Sequence, residues 1–256
     1  MKIALCFFGI TRNLKQNALS SIERFLLAPI ARVDPAYKRF GHFNQVHCIL
    51  NPRTGERNVP VDPEEYRLLN CDFISNTDQS WLDEQLDPEF LHLREYGDSW
   101  HDNFASLRNL VRQLYSLNQV AELLVRSGQS FDLVIYSRAD IRFEKPVEVA
   151  EVRPRTVYTP WFDKFRGLND RFAMGDFGTM VEYGRRASFT REYCLKTDLP
   201  LHAERFLLWY TRKRQLANVD LTSIDFRLAR AHGRIEPLDT GARAKLRYRV
   251  KRLLRH

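Results

Sequence analysis

Several motifs that would point directly to a function are missing from this sequence. It has no G-x-G-x-x-G and no G-x-x-x-x-G-K-S/T pattern, which disfavours both a dinucleotide fold and a P-loop. Its four cysteines lie far apart without a C-x-x-C pair, so neither a zinc knuckle nor a disulfide framework is indicated. We expect them to be buried free thiols in a reducing compartment. They are Cys6, Cys48, Cys71 and Cys194.

Long apolar runs are also missing. No run of about 18 apolar residues is present to span a bilayer. The apolar start is only one strand long, and Arg12 and Lys15 follow it without a small-residue cleavage site, so a signal peptide is not expected. These absences predict a cytoplasmic protein.

Positive charge is concentrated at one end of the chain. The formal net charge is +8, and residues 240–256 contain seven basic residues and no acidic one. The rest of the chain is therefore almost neutral, which argues against a nucleic-acid-binding fold with a basic face. We expect no nucleic acid as a partner.

The basic tail at 241–256 has an amphipathic pattern. On a helix its apolar residues fall on one side and its cations cover the rest, which is typical of a helix lying at an anionic membrane surface. A solvated or RNA-contacting tail is the alternative. The sequence thus divides into a domain at 1–240 and this tail, with the protein peripheral at the inner face of the membrane. The apolar residues are Ala242, Leu246, Val250, Leu253 and Leu254.

The stretch at 131–143 is an apolar strand pattern with charge at its end. Residues 131–137 are too few for a helix and rich in β-branched and aromatic side chains, which predicts a buried strand. Arg138 and Asp140 follow at its carboxyl end, where open α/β sheets bind their ligands. Asp140 is therefore a candidate ligand for a divalent metal or a sugar hydroxyl, and an ordinary solvated strand end is the alternative.

A second candidate site follows the first predicted strand, residues 2–8. The turn at 9–12 contains Gly9, Thr11 and Arg12, and in an α/β fold this turn is a candidate contact for a nucleotide phosphate or base. The alternative for Arg12 is a solvated cation at the start of a helix. That helix is predicted over 11–27 and should be stopped by Pro29.

The strongest helical pattern runs from about 102 to 126. Its wide apolar stripe predicts a long buried helix, and Asn118 shares that stripe. Tyr115 and Asn118 are candidate nucleotide contacts, with a structural amide as the alternative for Asn118. A strand is predicted within 43–50, and residues 78–100 show no assignable pattern.

The loop at 167–178 combines acids, glycines and aromatic residues. It can present Asp170 and Asp176 beside rings on which a sugar can stack. We expect both carboxylates to face the same sheet edge as Asp140. An ordinary turn-rich loop is the alternative.

Together these motifs resemble the bacterial and viral glycosyltransferases of the GT-A type that build surface polysaccharides. The resemblance covers roughly residues 1–215, but its motifs are short. It implies an α/β fold that is GT-A-like, or Rossmann-like: a mostly parallel sheet flanked by helices, in one domain with a basic C-terminal helix. The motifs are 8–12 (FGITR), 112–117 (RQLYSL), 136–140 (YSRAD), 169–175 (NDRFAMG) and 202–204 (HAE).

The resemblance implies a nucleotide-diphosphate sugar donor and a divalent metal, manganese or magnesium, held by an Asp-x-Asp motif. Here Arg138 stands where the first acid is expected, and Asp140 remains as the metal ligand. Arg138 can neutralise the diphosphate directly. The expected donor-binding residues are Gly9, Thr11, Arg12, Tyr115, Asn118, Arg138, Asp140 and Asp176.

Glu204 is the candidate catalytic base, with Asp170 as a second catalytic residue. Glu204 opens a predicted helix after Pro200 and shares a face with apolar neighbours, so it can deprotonate an acceptor hydroxyl. The alternative is an acid that complements the helix dipole. The sequence thus predicts a glycosyltransferase of the hexosyltransferase type, acting on a glycan or lipid-linked acceptor. A catalytically inactive carbohydrate- or nucleotide-sugar-binding protein on the same fold is the alternative, motivated by the missing first acid.

Overall fold

Eleven strands and eight α-helices are formed by residues 1–236, which are the residues that the computed structural model describes. The strands are β1 (Ile3–Gly9), β2 (Lys38–Gln45), β3 (Cys48–Asn51), β4 (Glu56–Pro60), β5 (Phe73–Asp78), β6 (Leu133–Arg138), β7 (Ile141–Phe143), β8 (Thr156–Pro160), β9 (Phe172–Gly175), β10 (Ala217–Leu221) and β11 (Phe226–Leu228). The helices are α1 (Leu14–Asn17), α2 (Leu19–Ile22), α3 (Ala28–Val33), α4 (Gln79–Arg94), α5 (Ala105–Arg126), α6 (Phe177–Gly184), α7 (Thr190–Thr197) and α8 (Ala203–Lys213). A π-helical turn covers Glu23–Leu27, and 3-10 turns cover Pro52–Thr54, Glu65–Leu69 and Arg185–Phe189.

In the described residues, seven of these strands form one sheet in the order β10-β8-β9-β6-β1-β2-β5. Strand β9 is antiparallel to both of its neighbours, and the other neighbouring pairs are parallel. Strand β1 lies between β2 and β6. After β1 the chain first adds β2 and β5 on one side of β1, and it later returns to add β6 on the other side. Such a change of direction opens a crevice at the carboxyl ends of the two strands, where α/β proteins bind ligands.

Both faces of the sheet are covered. Alternate residues of β1 point to opposite faces, and all of Ile3–Phe8 are fully buried. One face packs against the helical segment 14–33, and the other packs against α5 and α6. A further apolar cluster joins α4, α5, α7 and α8. This single domain, with its mostly parallel sheet flanked by helices, confirms the predicted α/β fold.

Three local predictions differ from the structure. Pro29 does not end the first helical segment, because the wider π-helical turn before it accommodates the ring and the helix continues to Val33. The strand predicted within 43–50 is the end of β2 followed by the short β3. The unassigned residues 78–100 contain α4, whose start is capped by Asp78 through Trp81 N.

No helix among residues 1–236 is long and apolar enough to cross a bilayer. The predicted basic tail at 241–256 lies outside the described residues, as does the predicted boundary at 240.

Candidate functional site

A cleft of about 280 Å³ opens at the carboxyl ends of β1 and β6. Gly9, the last residue of β1, and Arg138, the last residue of β6, both line it. The adjacent strands are in register there, with Phe8 opposite Arg138. Residues predicted from two separate sequence motifs therefore meet at one point of the fold.

Asp140 lies at the centre of the cationic end of this cleft. Its Oδ1 accepts a hydrogen bond of 2.9 Å from Arg138 Nε, and its Oδ2 accepts one from Arg138 Nη2. Arg12 Nε lies 3.2 Å from the same Oδ2. Burial disfavours the charged form of Asp140, but the two guanidinium groups outweigh it and hold the pKa of this carboxyl below its usual range.

The backbone around Asp140 is fixed on two sides. Ala139 N donates to Phe8 O of β1, and Ala229 N donates to Asp140 O. The carboxylate is therefore positioned by the sheet itself, as a strand-end site requires.

A buried glutamate holds Arg12 in place. Arg12 Nη1 donates to Glu56 Oε1 at 2.6 Å, and Glu56 also accepts from Thr54 Oγ1 and from Ala231 N at 2.8 Å. Glu56 is fully buried, and burial alone would raise its pKa. Arg12 and these hydrogen bonds outweigh the effect of burial, so the pKa of Glu56 lies below its usual value. No sequence pattern predicts that Glu56 is buried, because the residues around it, 53–58 (RTGERN), are polar and show no apolar periodicity.

Arg230 brings a third guanidinium to the cleft from the last described segment. It is buried and donates to Glu236 Oε1 at 2.9 Å. Burial and the charge of Arg12 lower the pKa of Arg230, while Asp140 and Glu236 oppose that shift. Sequence reasoning missed this residue because the fold brings it beside β1 from more than 200 positions away.

Glu204, His202 and Trp100 also line the cleft. Glu204 lies in the first turn of α8, with Oε2 at 3.1 Å from His202 Nδ1 and Oε1 at 3.6 Å from Arg171 Nη2. The loop before β9 packs closely against this turn, where Leu168 N donates to Glu204 O at 3.0 Å. A carboxylate, an imidazole and a cation are thus grouped in the lining of the cleft.

The two acids of the 167–178 loop lie at opposite edges of the sheet. Asp170 precedes β9, lines the cleft and accepts a hydrogen bond of 2.7 Å from Gln113 Nε2. Asp176 follows β9, and because this strand is antiparallel, the structure places Asp176 at the far edge. There its carboxylate caps α6 by accepting from Thr179 N at 3.1 Å.

Three further candidates, Thr11, Tyr115 and Asn118, are not among the residues that line the cleft. Thr11 is buried, Asn118 is half-buried, and the ring of Tyr115 meets His42 edge-on at 5.5 Å. Gly9 N instead donates to Oγ of Ser116 at 2.8 Å.

Helix α5 faces the cleft with a different set of residues. Four positions at helical spacing of three and four line it, and Arg112 joins them. The periodicity that predicted the helix could have identified this face, but only once the position of the cleft was known. The four positions are Ser106, Asn109, Leu110 and Gln113.

Asn44, near the end of β2, supplies an unpaired acceptor. Its Nδ2 donates to Arg112 O at 3.3 Å, whereas its buried Oδ1 has no hydrogen-bond partner in the described residues. Buried polar atoms are rarely left unpaired, so a ligand donor is one explanation for this atom.

The residues of this site do not fit a divalent metal. Among residues 1–236 no three His, Cys, Asp or Glu side chains are grouped so that they could hold a metal ion. Asp140, the expected ligand, has both oxygens bound by Arg138. Manganese or magnesium was expected at Asp140, but the described residues do not supply the further side-chain ligands that would hold it there.

No protein-family model matches this chain, and no curated protein does. Among solved structures, the chain is similar to mouse xyloside xylosyltransferase 1 in its apo form, with 12% sequence identity and a TM-score of 0.45. The similarity covers 86% of this chain and 84% of that one. A likeness of this size does not bear on the reaction, so the function rests on the cleft.

Proposed function

We propose that this protein is a glycosyltransferase that moves a sugar from a nucleotide-diphosphate sugar to a glycan or lipid-linked acceptor. The observation that supports it most is that Arg12 and Arg138 lie side by side at the carboxyl ends of β1 and β6, where both contact Asp140. A departing nucleoside diphosphate gathers negative charge as its bond to the sugar breaks, and fixed guanidinium groups stabilise that charge.

Both arginines keep hydrogen-bond donors free for a ligand. Arg138 uses Nε and Nη2 on Asp140, and Arg12 uses Nη1 on Glu56. Within residues 1–236, Nη1 of Arg138 and Nη2 of Arg12 make no hydrogen bond, and both side chains line the cleft. In this proposal Asp140 and Glu56 orient the guanidinium groups, and the free N–H groups bind the diphosphate oxygens.

The remaining lining suits a neutral, hydroxyl-rich ligand. The amide side chains of Asn44, Asn109 and Gln113 line the cleft, and Asp170 is held by Gln113. Amides and carboxylates bind the hydroxyls of a ribose or hexose and the polar edge of a base. We assign Asp170 to a sugar hydroxyl and the His202–Glu204 pair to the acceptor.

A second candidate function is a catalytically inactive protein that binds carbohydrate or nucleotide sugar. The occupation of both Asp140 oxygens by Arg138 favours it, because a metal-assisted reaction would need that carboxylate. An inactive nucleotide-sugar-binding protein differs from a transferase in turnover, and an inactive carbohydrate-binding protein differs from it in donor binding as well.

Calorimetric titration with a panel of UDP-, GDP- and dTDP-sugars, in EDTA and in manganese, tests the proposed donor site. Because the arginines supply the positive charge, at least one donor should bind in EDTA. Binding that occurs only with manganese would contradict the arginine-based account, and binding of no donor would contradict the proposed function.

We also propose that the basic tail at 241–256 holds the protein to anionic lipid at the inner face of the membrane. Its amphipathic pattern supports this, with about 1 kcal/mol gained per cation near the surface. Removing the tail should abolish salt-sensitive binding to anionic vesicles and spare transfer to a soluble acceptor. Equal vesicle binding by the shortened chain would contradict the proposal.

A further inference from the structure

A histidine and a carboxylate form a buried pair in the lining of the cleft, at the position that we assign to the acceptor. His202 Nδ1 lies 3.1 Å from Glu204 Oε2, and both residues are more than nine-tenths buried. The contact is close but poorly aligned, and Nδ1 has no other partner in the described residues. Catalytic hydrogen bonds commonly tighten when substrate binds, so this geometry suits a working pair.

The imidazole ring is fixed by aromatic neighbours. Trp100 stacks on it with ring centroids 5.0 Å apart and an interplanar angle of 15°, and Phe165 lies 6.3 Å away on a tilted plane. With its plane fixed and Nδ1 directed at Glu204, the ring has Nε2 left for another group. Nε2 makes no hydrogen bond within residues 1–236, and His202 lines the cleft.

Glu204 is better placed to orient the imidazole than to take a proton from an acceptor. One of its oxygens faces His202, and the other lies 3.6 Å from Arg171 Nη2. Arg171 in turn lies 3.3 Å from Asp163 Oδ2, so its charge is shared between two carboxylates. Both Glu204 oxygens are therefore engaged, whereas one nitrogen of His202 is free.

Two neighbours of the ring are placed to contact the charge that the ring carries after it takes a proton. Glu204 compensates an imidazolium directly, as the carboxylate of a serine-protease triad does for its histidine. The face of Trp100 adds a cation–π attraction at this stacking distance. Arg171 opposes the charge, but its guanidinium is directed at Glu204 and Asp163.

We infer that His202 is the residue that accepts the proton of the acceptor hydroxyl, and that Glu204 is a positioning residue acting through it. This inference rests on the proposed glycosyltransferase function. The hydroxyl oxygen forms a bond to the anomeric carbon while its proton moves to His202 Nε2. The bond from that carbon to the phosphate oxygen breaks, and its electron pair leaves with the nucleoside diphosphate beside Arg12 and Arg138. The imidazolium then returns its proton to water, and the product has inverted configuration.

The test compares His202→Ala and His202→Gln with the wild type in a transfer assay that monitors nucleoside diphosphate release. General-base catalysis contributes about 10²- to 10⁴-fold, so kcat should fall by that factor while the donor Kd changes less than about twofold. Added imidazole should restore part of the activity of His202→Ala, because the slot beside Trp100 can hold it. His92→Ala, on α4 and outside the cleft lining, is the matched control and should retain kcat.

Glu204→Gln tests the positioning role. It should lower kcat less than His202→Ala does, and the double variant should be no slower than His202→Ala alone, since a residue acting through another is non-additive with it. Independent, additive losses would contradict that role.

Three outcomes would overturn the assignment of His202. They are a kcat of His202→Gln close to that of the wild type, a His202→Ala variant that folds but is not rescued by imidazole, and a product of retained configuration. If the wild type itself transfers no sugar, the proposed function fails. If the wild type transfers and His202→Gln does so equally, only this inference fails.

Discussion

Asp140 accepts hydrogen bonds from Nε and Nη2 of Arg138, the residue two positions before it in the chain. The Asp140 carboxylate is buried just after the end of β6, Arg138 is partly exposed to the cleft, and Arg12 approaches the same carboxylate from the end of β1. A single carboxylate therefore compensates two cations that the proposed function requires.

Asp140→Ala should destabilise the protein strongly as well as impair the site. Removing one partner of a buried ion pair leaves charge uncompensated and typically costs about 3–5 kcal/mol. Urea denaturation measures this loss, with Glu144→Ala as the control because Glu144 makes only partly exposed contacts with Arg142 and Arg227. A free energy of unfolding for Asp140→Ala within about 1 kcal/mol of the control would contradict the buried-pair account.

Arg138→Gln should weaken donor binding. A hydrogen bond to a charged group contributes about 1.5–3 kcal/mol, which corresponds to an increase in the donor Kd of roughly 10- to 100-fold. Arg142→Gln removes the same kind of side chain from an exposed position on β7 that does not line the cleft, so it should leave Kd unchanged. Equal affinities of the two variants would show that Arg138 does not contact the donor.

The sequence predicts the site residues that follow parallel strands, but it does not predict the position of the residue that follows the antiparallel strand β9. Arg12, Arg138 and Asp140 were predictable because each follows an apolar strand, and parallel neighbours bring their carboxyl ends together. Asp176 looked equivalent to Asp170, but nothing in residues 167–178 reveals that β9 runs antiparallel and carries the second acid to the other edge.

The other residues that the sequence did not predict are placed at the site by contacts between distant parts of the chain. Glu56 binds Arg12 from the β3–β4 hairpin, and Arg230 lines the cleft from the last described segment. Both are charged residues that are buried only through contacts with distant parts of the chain. On α5, the apolar stripe predicted the helix correctly. It does not distinguish which polar positions lie at the cleft: the sequence predicts Tyr115 and Asn118, whereas Asn109 and Gln113 line it.

His42 should make stability depend on pH. Burial lowers its pKa from 6.5 to about 4. Its Nδ1 donates to Ser116 Oγ, an assignment that follows because the Ser116 hydroxyl itself donates to His42 O. Between these two pKa values the unfolded chain binds more protons than the folded one. The stability that is present above pH 6.5 is therefore lost as pH falls toward 4.

Between pH 7 and pH 5 this loss should amount to about 2 kcal/mol. Urea denaturation at the two pH values measures the free energy of unfolding. Its decrease from pH 7 to pH 5 should be smaller in His42→Asn than in the wild type by about 2 kcal/mol. His47→Asn, at an exposed position between β2 and β3, is the control. The same loss in His42→Asn as in the wild type would contradict the role of the buried imidazole.

Gly167→Ala should disrupt the contact between the loop before β9 and α8. A Cβ at this position would lie 1.9 Å from the backbone oxygen of Glu204, so the loop or the helix start has to move. We expect a loss of about 1–3 kcal/mol in stability and a lower kcat. Gly178→Ala is the control, since its Cβ would meet only Asp176 Oδ1 at 3.6 Å inside helix α6. Equal melting temperatures of the two variants would contradict this packing.

The most direct test of the central claim is a transfer assay that monitors release of nucleoside diphosphate from each donor, with and without a panel of glycan and lipid-linked acceptor analogues. The account predicts that at least one donor is turned over only when an acceptor is present, and that Arg138→Gln lowers kcat/KM whereas Arg142→Gln does not. Donor binding without release under any acceptor would contradict glycosyl transfer and leave a sugar-nucleotide-binding protein in its place.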